Sequence, residues 1–198
     1  VSAEHRHHLT GLPALASWRH SGARTGYEVL FCSSTAAGYR LRGTTSAVEA
    51  GIGWSVGYRV DLDRRWTTRS AQAATATITG EHRVSLSATG QRWVVDGRVR
   101  PDLDGCVDVD FESSAVTNTI PVHRLPFAVG APVSVPAAFV RADDLRVHRM
   151  EQLYSFVGST PEGLIFDYES ATFGFACRLL FDPSGLVLDY PGIAVRDV

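Results

Sequence analysis

Ten consecutive residues, Trp54 to Asp63, alternate without a break: Trp54, Val56, Tyr58, Val60 and Leu62 fall on one side, and Ser55, Gly57, Arg59, Asp61 and Asp63 on the other. Successive side chains of extended backbone point to opposite faces, so this spacing predicts a strand with one buried and one solvated face. The period of two returns in Tyr27 to Cys32, Gly38 to Val48, His82 to Ala88, Gln91 to Asp96, Gln152 to Val157, Leu164 to Glu169 and Phe173 to Phe181. Turn-forming residues separate these runs, among them Thr89-Gly90, Asp96-Gly97 and Asp182 to Gly185, and make neighbouring strands antiparallel. Trp66 to Thr79, rich in Thr and Ala, is compatible with another strand packed closely against something bulky. Leu9 to Arg19, broken by Gly11 and Pro13, predicts a short helical turn or two. Phe127 to Val140 carries Gly130, Pro132 and Pro136, which places it at a sheet edge or in a loop. The fold class is mainly β with few short helices, and so many antiparallel strands either pack as two layers or curl into an open barrel or roll.

At 198 residues with 44% in the hydrophobic set, the chain is long enough for one large core, and one domain over residues 1–198 is expected, with 1–10 as a mobile tail. Formal net charge is −2, which provides no long-range field for nucleic acid. All 19 basic residues are arginine, so lysine Schiff-base chemistry and a phosphate-loop lysine are excluded. Cys32, Cys106 and Cys177 are odd in number and far apart, the usage of a reducing compartment. Together with a start that lacks an apolar run and the absence of any membrane-length apolar stretch, this predicts a cytoplasmic chain without integral membrane association. His5, His7 and His8 are assigned to the tail rather than to a metal, and no cofactor is expected.

The densest chemistry lies in Asp104 to Leu125. An extended segment there places Cys106, Asp108 and Asp110 on one face and Val107, Val109 and Phe111 on the other. Asp108 and Asp110 fit an acid–base pair or a hard-cation site, and they equally fit a structural network of backbone or arginine hydrogen bonds. Arg124 has two readings, pairing with one of those aspartates or recognising an anion. Asn118 has the side chain of a turn-former. Trp66 and Trp93 suit stacking on a sugar or acyl chain as well as core packing. Glu28, on a largely apolar strand face, needs a donor or a raised pKa. The small residues on the opposite strand faces leave room for an amphipathic ligand, or form a plain solvated surface.

Several ordered segments carry a resemblance. DGCVDVDFESSAVTNTIPVHRL, with GYE around Glu28, YRVDLDRRWTTR from Tyr58 to Arg69, WVVDG at Trp93 to Gly97, EQLY and GLVLDYPGIAVR, is similar to the glycolipid-binding protein family, formerly a domain of unknown function. The resemblance implies a spiral β-roll, shaped like bacterial carriers that hold acyl chains, and marks Glu28, Trp66, Arg69, Trp93, Asp96, Asp108, Asn118, Arg124, Gln152, Tyr154 and Tyr190 as ligand-binding positions. It assigns no catalytic residue. Ser113 to Val116 and Val122-His123 depart from the family pattern. The expected function is binding or carrying a glycolipid or similar amphipathic molecule without chemistry. Alternatives are an enzyme of unassigned reaction in the same concavity, and a protein-interaction domain that uses an exposed sheet edge.

Overall fold

A computed structural model describes residues 9–197. Residues 1–8, most of the expected tail and with it His5, His7 and His8, lie outside the described residues. Thr10 is tied down, its N–H donating to the Pro183 carbonyl at 2.8 Å.

The alternating runs form long strands: β1 (Leu15–His20), β2 (Arg24–Ser34), β3 (Gly38–Glu49), β4 (Ile52–Asp63), β5 (Thr68–Thr77), β6 (Gly80–Thr89), β7 (Arg92–Val95) and β8 (Arg98–Val99). A compact middle segment follows, with β9 (Asp108–Phe111), the helix α1 (Thr119–Arg124), β10 (Pro132–Ser134), β11 (Ala137–Val140) and β12 (Val147–Met150). The chain then returns to long strands in β13 (Gln152–Thr160), β14 (Gly163–Ser170) and β15 (Phe175–Phe181), and finishes its sheet with β16 (Val187–Tyr190) and β17 (Ala194–Arg196). Leu9 to Arg19 is not helical: Trp18 and its neighbours form a strand paired on both sides, by Glu28 of β2 and Arg196 of β17. A six-pair ladder to β2 and a three-pair ladder to β17 outweigh a weak local helical tendency.

Fourteen strands make one antiparallel sheet, ordered β10-β13-β14-β15-β16-β17-β1-β2-β3-β4-β5-β6-β7-β8. Its ends, β10 and β8, do not pair with each other, so the curl remains open. The proline-bearing β10 lies at one of those edges, as proline's missing N–H requires. A second, three-stranded sheet, β12-β11-β9, contains one parallel pair, Ala137↔Asp108 to Val140↔Phe111. The sequence pattern announces β9, where Asp108 and Asp110 alternate with Val109 and Phe111, but not the burial of both its faces, and it does not announce β11, which is apolar throughout.

This middle segment fills the inside of the roll. Trp18, Leu30, Val56, Val60, Leu86 and Trp93 of the large sheet share one apolar cluster with Leu103, Val109, Phe111, Val116, Ile120 and Val140. A second cluster joins Phe166, Leu179 and Phe181 to Val122, Phe127 and Val135. The concavity that a hollow roll would offer to a lipid chain is occupied by the protein's own residues. At Gly43 of β3 an added Cβ would lie 2.3 Å from the Tyr58 hydroxyl, so the ring crosses the neighbouring strand only because that position has no side chain. Among the described residues no helix is long and apolar enough to cross a membrane.

Candidate functional site

The turn after β9 is anchored on the large sheet by Glu28, which is wholly buried on β2. Its Oε1 accepts from the Tyr58 hydroxyl at 2.7 Å and from the Ser114 hydroxyl at 2.5 Å, and its Oε2 from the Ala115 N–H at 2.9 Å. Burial raises the carboxyl pKa, while those three donors pull it back. Asp108 is also enclosed, and the Arg124 guanidinium at the end of α1 grips it with both prongs, Nε at 3.1 Å and Nη2 at 2.5 Å. Burial pushes Asp108 up and the guanidinium opposes it. Glu28 therefore fastens the middle segment to the large sheet, and the Asp108–Arg124 pair fastens β9 to α1 within that segment.

Asp110 is provided for differently. One residue pair along β9 from Asp108, it receives the Thr117 hydroxyl at 2.5 Å, and burial pushes its pKa up to about 7. It faces a concavity of about 270 Å³. Buried Asn118, Ser114 and Ser170 join it there, and the ring-bearing wall is made by Phe139, Tyr168, Phe173, Phe175 and Tyr190. Tyr168 and Tyr190 lie with ring centroids 6.0 Å apart, edge to face, and burial raises both phenols, so they remain protonated donors at neutral pH. Arg24, Glu49 and Glu112 also line the space. Arg24 donates through Nη1 to the Glu112 carbonyl at 2.7 Å and lies over the Trp54 ring at 5.5 Å. Such a site binds by apolar faces and a few oriented polar groups.

Of the positions marked in the sequence, Asn118 and Tyr190 line this concavity. Tyr154 is fully buried and donates its hydroxyl to Asn118 Oδ1 at 2.7 Å, fixing the amide from behind. Gln152 is buried, and its Oε1 has no hydrogen-bond partner among the described residues. Glu28, Asp108 and Arg124 form the fasteners above. Trp66 stacks between Tyr39 and His123, with centroids at 4.7 and 3.7 Å. Trp93, fully buried, donates Nε1–H to the Cys106 carbonyl at 2.9 Å. Neither tryptophan lines this concavity; the middle segment needs their surfaces as its packing floor. Arg69 pairs with Asp63 at 2.6 Å on the exterior. Asp96 accepts from the Ser85 N–H at 2.9 Å. Ser170, Tyr168 and Phe175 line the concavity without being marked in the sequence, although Tyr168 and Phe175 sit on alternating strands; the pairing of β14, β15 and β16 that gathers them around Asp110 has no local signal.

All three cysteines are free thiols, and burial raises Cys106 to about 11 and Cys177 to about 12, far from a reactive thiolate. Among the described residues no group of three or more His, Cys, Asp or Glu is placed to hold a metal ion.

A family model described as "Putative glycolipid-binding" matches residues 15–196. The chain belongs to this family. A crystal structure of a DUF1089 family protein from Pseudomonas aeruginosa is similar at 30% identity and a TM-score of 0.77, covering 91% of this chain and 95% of that one. A β-barrel-like protein of the domain of unknown function DUF1849 from Brucella abortus shares the fold at 11% identity and a TM-score of 0.53, covering 95% of each chain. Comparison with curated proteins finds no match.

Proposed function

We propose that this family member binds a glycolipid or similar amphipathic molecule through its polar head and performs no chemistry on it. The observation that supports this reading is the meeting of an aromatic wall with buried polar groups around Asp110 in one concavity of about 270 Å³. That volume lies just under the roughly 300–1,000 Å³ of ligand pockets, the scale of a single head-group ring rather than of lipid chains. Aromatic faces suit the C–H face of a sugar, and Asp110, Asn118 and Ser170 have the hydrogen-bonding atoms to orient its hydroxyls. Because the roll is filled, the ligand's chains lie outside, beginning at Phe173, which is 47% exposed. In this reading Asn118 and Tyr190 touch the ligand, while Glu28, Asp108, Arg124, Gln152, Tyr154, Trp66, Trp93, Arg69 and Asp96 hold the framework. The family description supports the glycolipid class.

The test is titration of the protein with alkyl glycosides and with detergents of equal chain length that carry no sugar. The glycosides bind and the matched detergents do not. Phe173→Ala weakens glycoside binding about fivefold while the melting temperature stays within a degree or two, because an exposed ring contributes little to the fold. Equal binding of both ligand sets, or of neither, removes the proposal. A carboxyl that titrates near 7 also favours a second reading, an enzyme using Asp110 as acid or base; conversion of a bound glycoside, lost in Asp110→Asn with binding retained, is its signature.

A further inference from the structure

The outer face of β3 to β6, turned away from the filled interior, carries a trough of about 530 Å³ lined by Arg42, Arg59, Arg83, Gln72, Gly57 and Ala74, with Asp96 at its side. The register builds it. Arg42 of β3, Arg59 of β4, Gln72 of β5 and Ser85 of β6 are direct cross-strand partners, and the adjacent row on the same face is Thr44, Gly57, Ala74 and Arg83. Two arginines thus stand directly opposite each other, an arrangement that costs stability unless something negative lies between them. Other arginines on this sheet have carboxylates: Arg40, close by, takes Asp61 at 2.6 Å and, at the far end of the sheet, Arg178 takes Asp167 at 2.8 Å. Arg59 reaches Asp61 through Nε at 2.8 Å, but Asp61 is shared with Arg40, and the Arg59 Nη groups have no partner among the described residues. Arg42 has only the Phe31 ring, 5.4 Å from its guanidinium carbon, and Arg83 has no ion pair among the described residues. The carboxylate of Asp96 already accepts the Ser85 N–H through Oδ1.

The floor between these guanidinium groups is empty space rather than side chain. A Cβ added at Gly57 would meet nothing closer than the Thr44 hydroxyl at 3.9 Å. Glycine in a strand interior weakens the strand and marks a place of close approach by something else. We propose that this trough is an anion site in which Arg42, Arg59 and Arg83 take a phosphate group, with Gln72 as an additional donor. Planar guanidinium groups bind phosphate oxygens through paired hydrogen bonds. The same cross-strand row continues from Arg42 to Phe31 and Leu15, 48% and 47% exposed, so the phosphate carrier has an apolar portion that lies along this strip. This site shares no lining residue with the concavity at Asp110, and each can fail without the other.

Pyrophosphate titrated at low salt serves as the probe for a free phosphate compound, and vesicles of phosphatidic acid with phosphatidylcholine serve for a membrane headgroup, with phosphatidylcholine alone as the reference. At least one of the two anionic probes binds, and affinity falls as ionic strength rises. Arg42→Gln with Arg83→Gln lowers that affinity at least tenfold, whereas Arg178→Gln, on the same sheet but paired with Asp167, leaves it unchanged. Gly57→Val keeps every charge and fills the floor, and it too lowers affinity at least tenfold with an undiminished melting temperature. Binding of pyrophosphate without vesicle preference assigns a soluble phosphate compound; binding of vesicles alone assigns the headgroup. If neither probe binds, if Arg178→Gln costs as much as the double variant, or if Gly57→Val has no effect, the site does not exist.

Discussion

The turn from Ser114 to Thr117 is held at its start by Glu28 and at its end by Asp110, and the two carboxylates are served unequally. Glu28 collects three donors, the Tyr58 hydroxyl from β4 and the Ser114 hydroxyl and Ala115 N–H from the turn. Asp110 has the Thr117 hydroxyl on one oxygen, only the Phe111 N–H besides to favour its charged form, and a concavity before it. Burial alone does not separate them, since both are enclosed and both titrate above the usual carboxylate range. The count of donors does. A buried carboxylate with its lone pairs used is part of the framework, and one with lone pairs left over facing a cavity is free to meet a ligand.

Three substitutions break or sharpen that contrast, beginning with the largest. Glu28→Ala leaves the Tyr58 and Ser114 hydroxyls and the Ala115 N–H without their acceptor, and at about 1–3 kcal/mol for each unmade buried bond the expected loss is at least about 3 kcal/mol. Urea unfolding measures it; a loss below about 1 kcal/mol would place Glu28 among dispensable groups and erase the difference from Asp110.

Asp110→Asn acts in the opposite sense. Its carboxyl titrates near 7 in the fold against 3.8 in the open chain, so between those values the folded protein holds a proton that the unfolded chain has released. The stability Asp110 contributes is complete below about pH 4 and is lost as pH rises towards 7, by as much as about 4 kcal/mol. Asparagine cannot ionise, so the variant is more stable than the parent at pH 8 and loses this slope. His20 and His123, both lowered to about 4 by burial, tilt the parent's profile the other way: their stabilising neutral state is lost as pH falls from about 6.5 to 4. Denaturation midpoints of parent and variant at pH 5 and pH 8 isolate the aspartate, because the histidine contribution cancels between the two proteins. Parallel profiles would mean that Asp110 stays charged in the fold.

Ser114→Ala gives the smallest effect. The hydroxyl touches Glu28 and also accepts the Val116 N–H at 3.1 Å, and it lines the concavity. Removing it costs about 1–2 kcal/mol of stability and at most a twofold change in glycoside affinity. A larger change in affinity than in stability would transfer Ser114 from the framework to the site.

The long strands were legible because each presents one face to the core and the other to water, as in Trp54 to Asp63. The middle segment was legible only in part: the alternation of Asp108 and Asp110 with Val109 and Phe111 marks a strand, but that strand is buried on both sides, so the alternation does not reveal how its two aspartates are enclosed. Pairing of Asp108 with Arg124 was among the open readings, since a guanidinium needs an anion wherever it is held. The concavity depends on Tyr168, Phe175 and Tyr190 converging from three strands upon Asp110, which no local spacing encodes. The resemblance marked Asn118 and Tyr190 without distinguishing them from Trp93 or Tyr154, because a family position that supports a wall and one that lines it look alike in a sequence.

The strand β1 has consequences for how the chain folds. Its register with β2 joins residues close in sequence, Trp18 to Glu28, whereas its register with β17 joins Trp18 to Arg196. On either side of this seam the sheet grows by neighbouring hairpins, which form quickly; the seam itself must close a loop of most of the chain before any contact rewards it. It is also short, with β17 only three residues long, although Trp18 reinforces it by donating to the Val187 carbonyl at 2.7 Å. Late formation and early opening should therefore coincide there, so that amide protons of Val195 and Arg196 exchange with solvent well before those of Val56 to Val60, and the roll breathes along a line set by its topology rather than at its free edges alone.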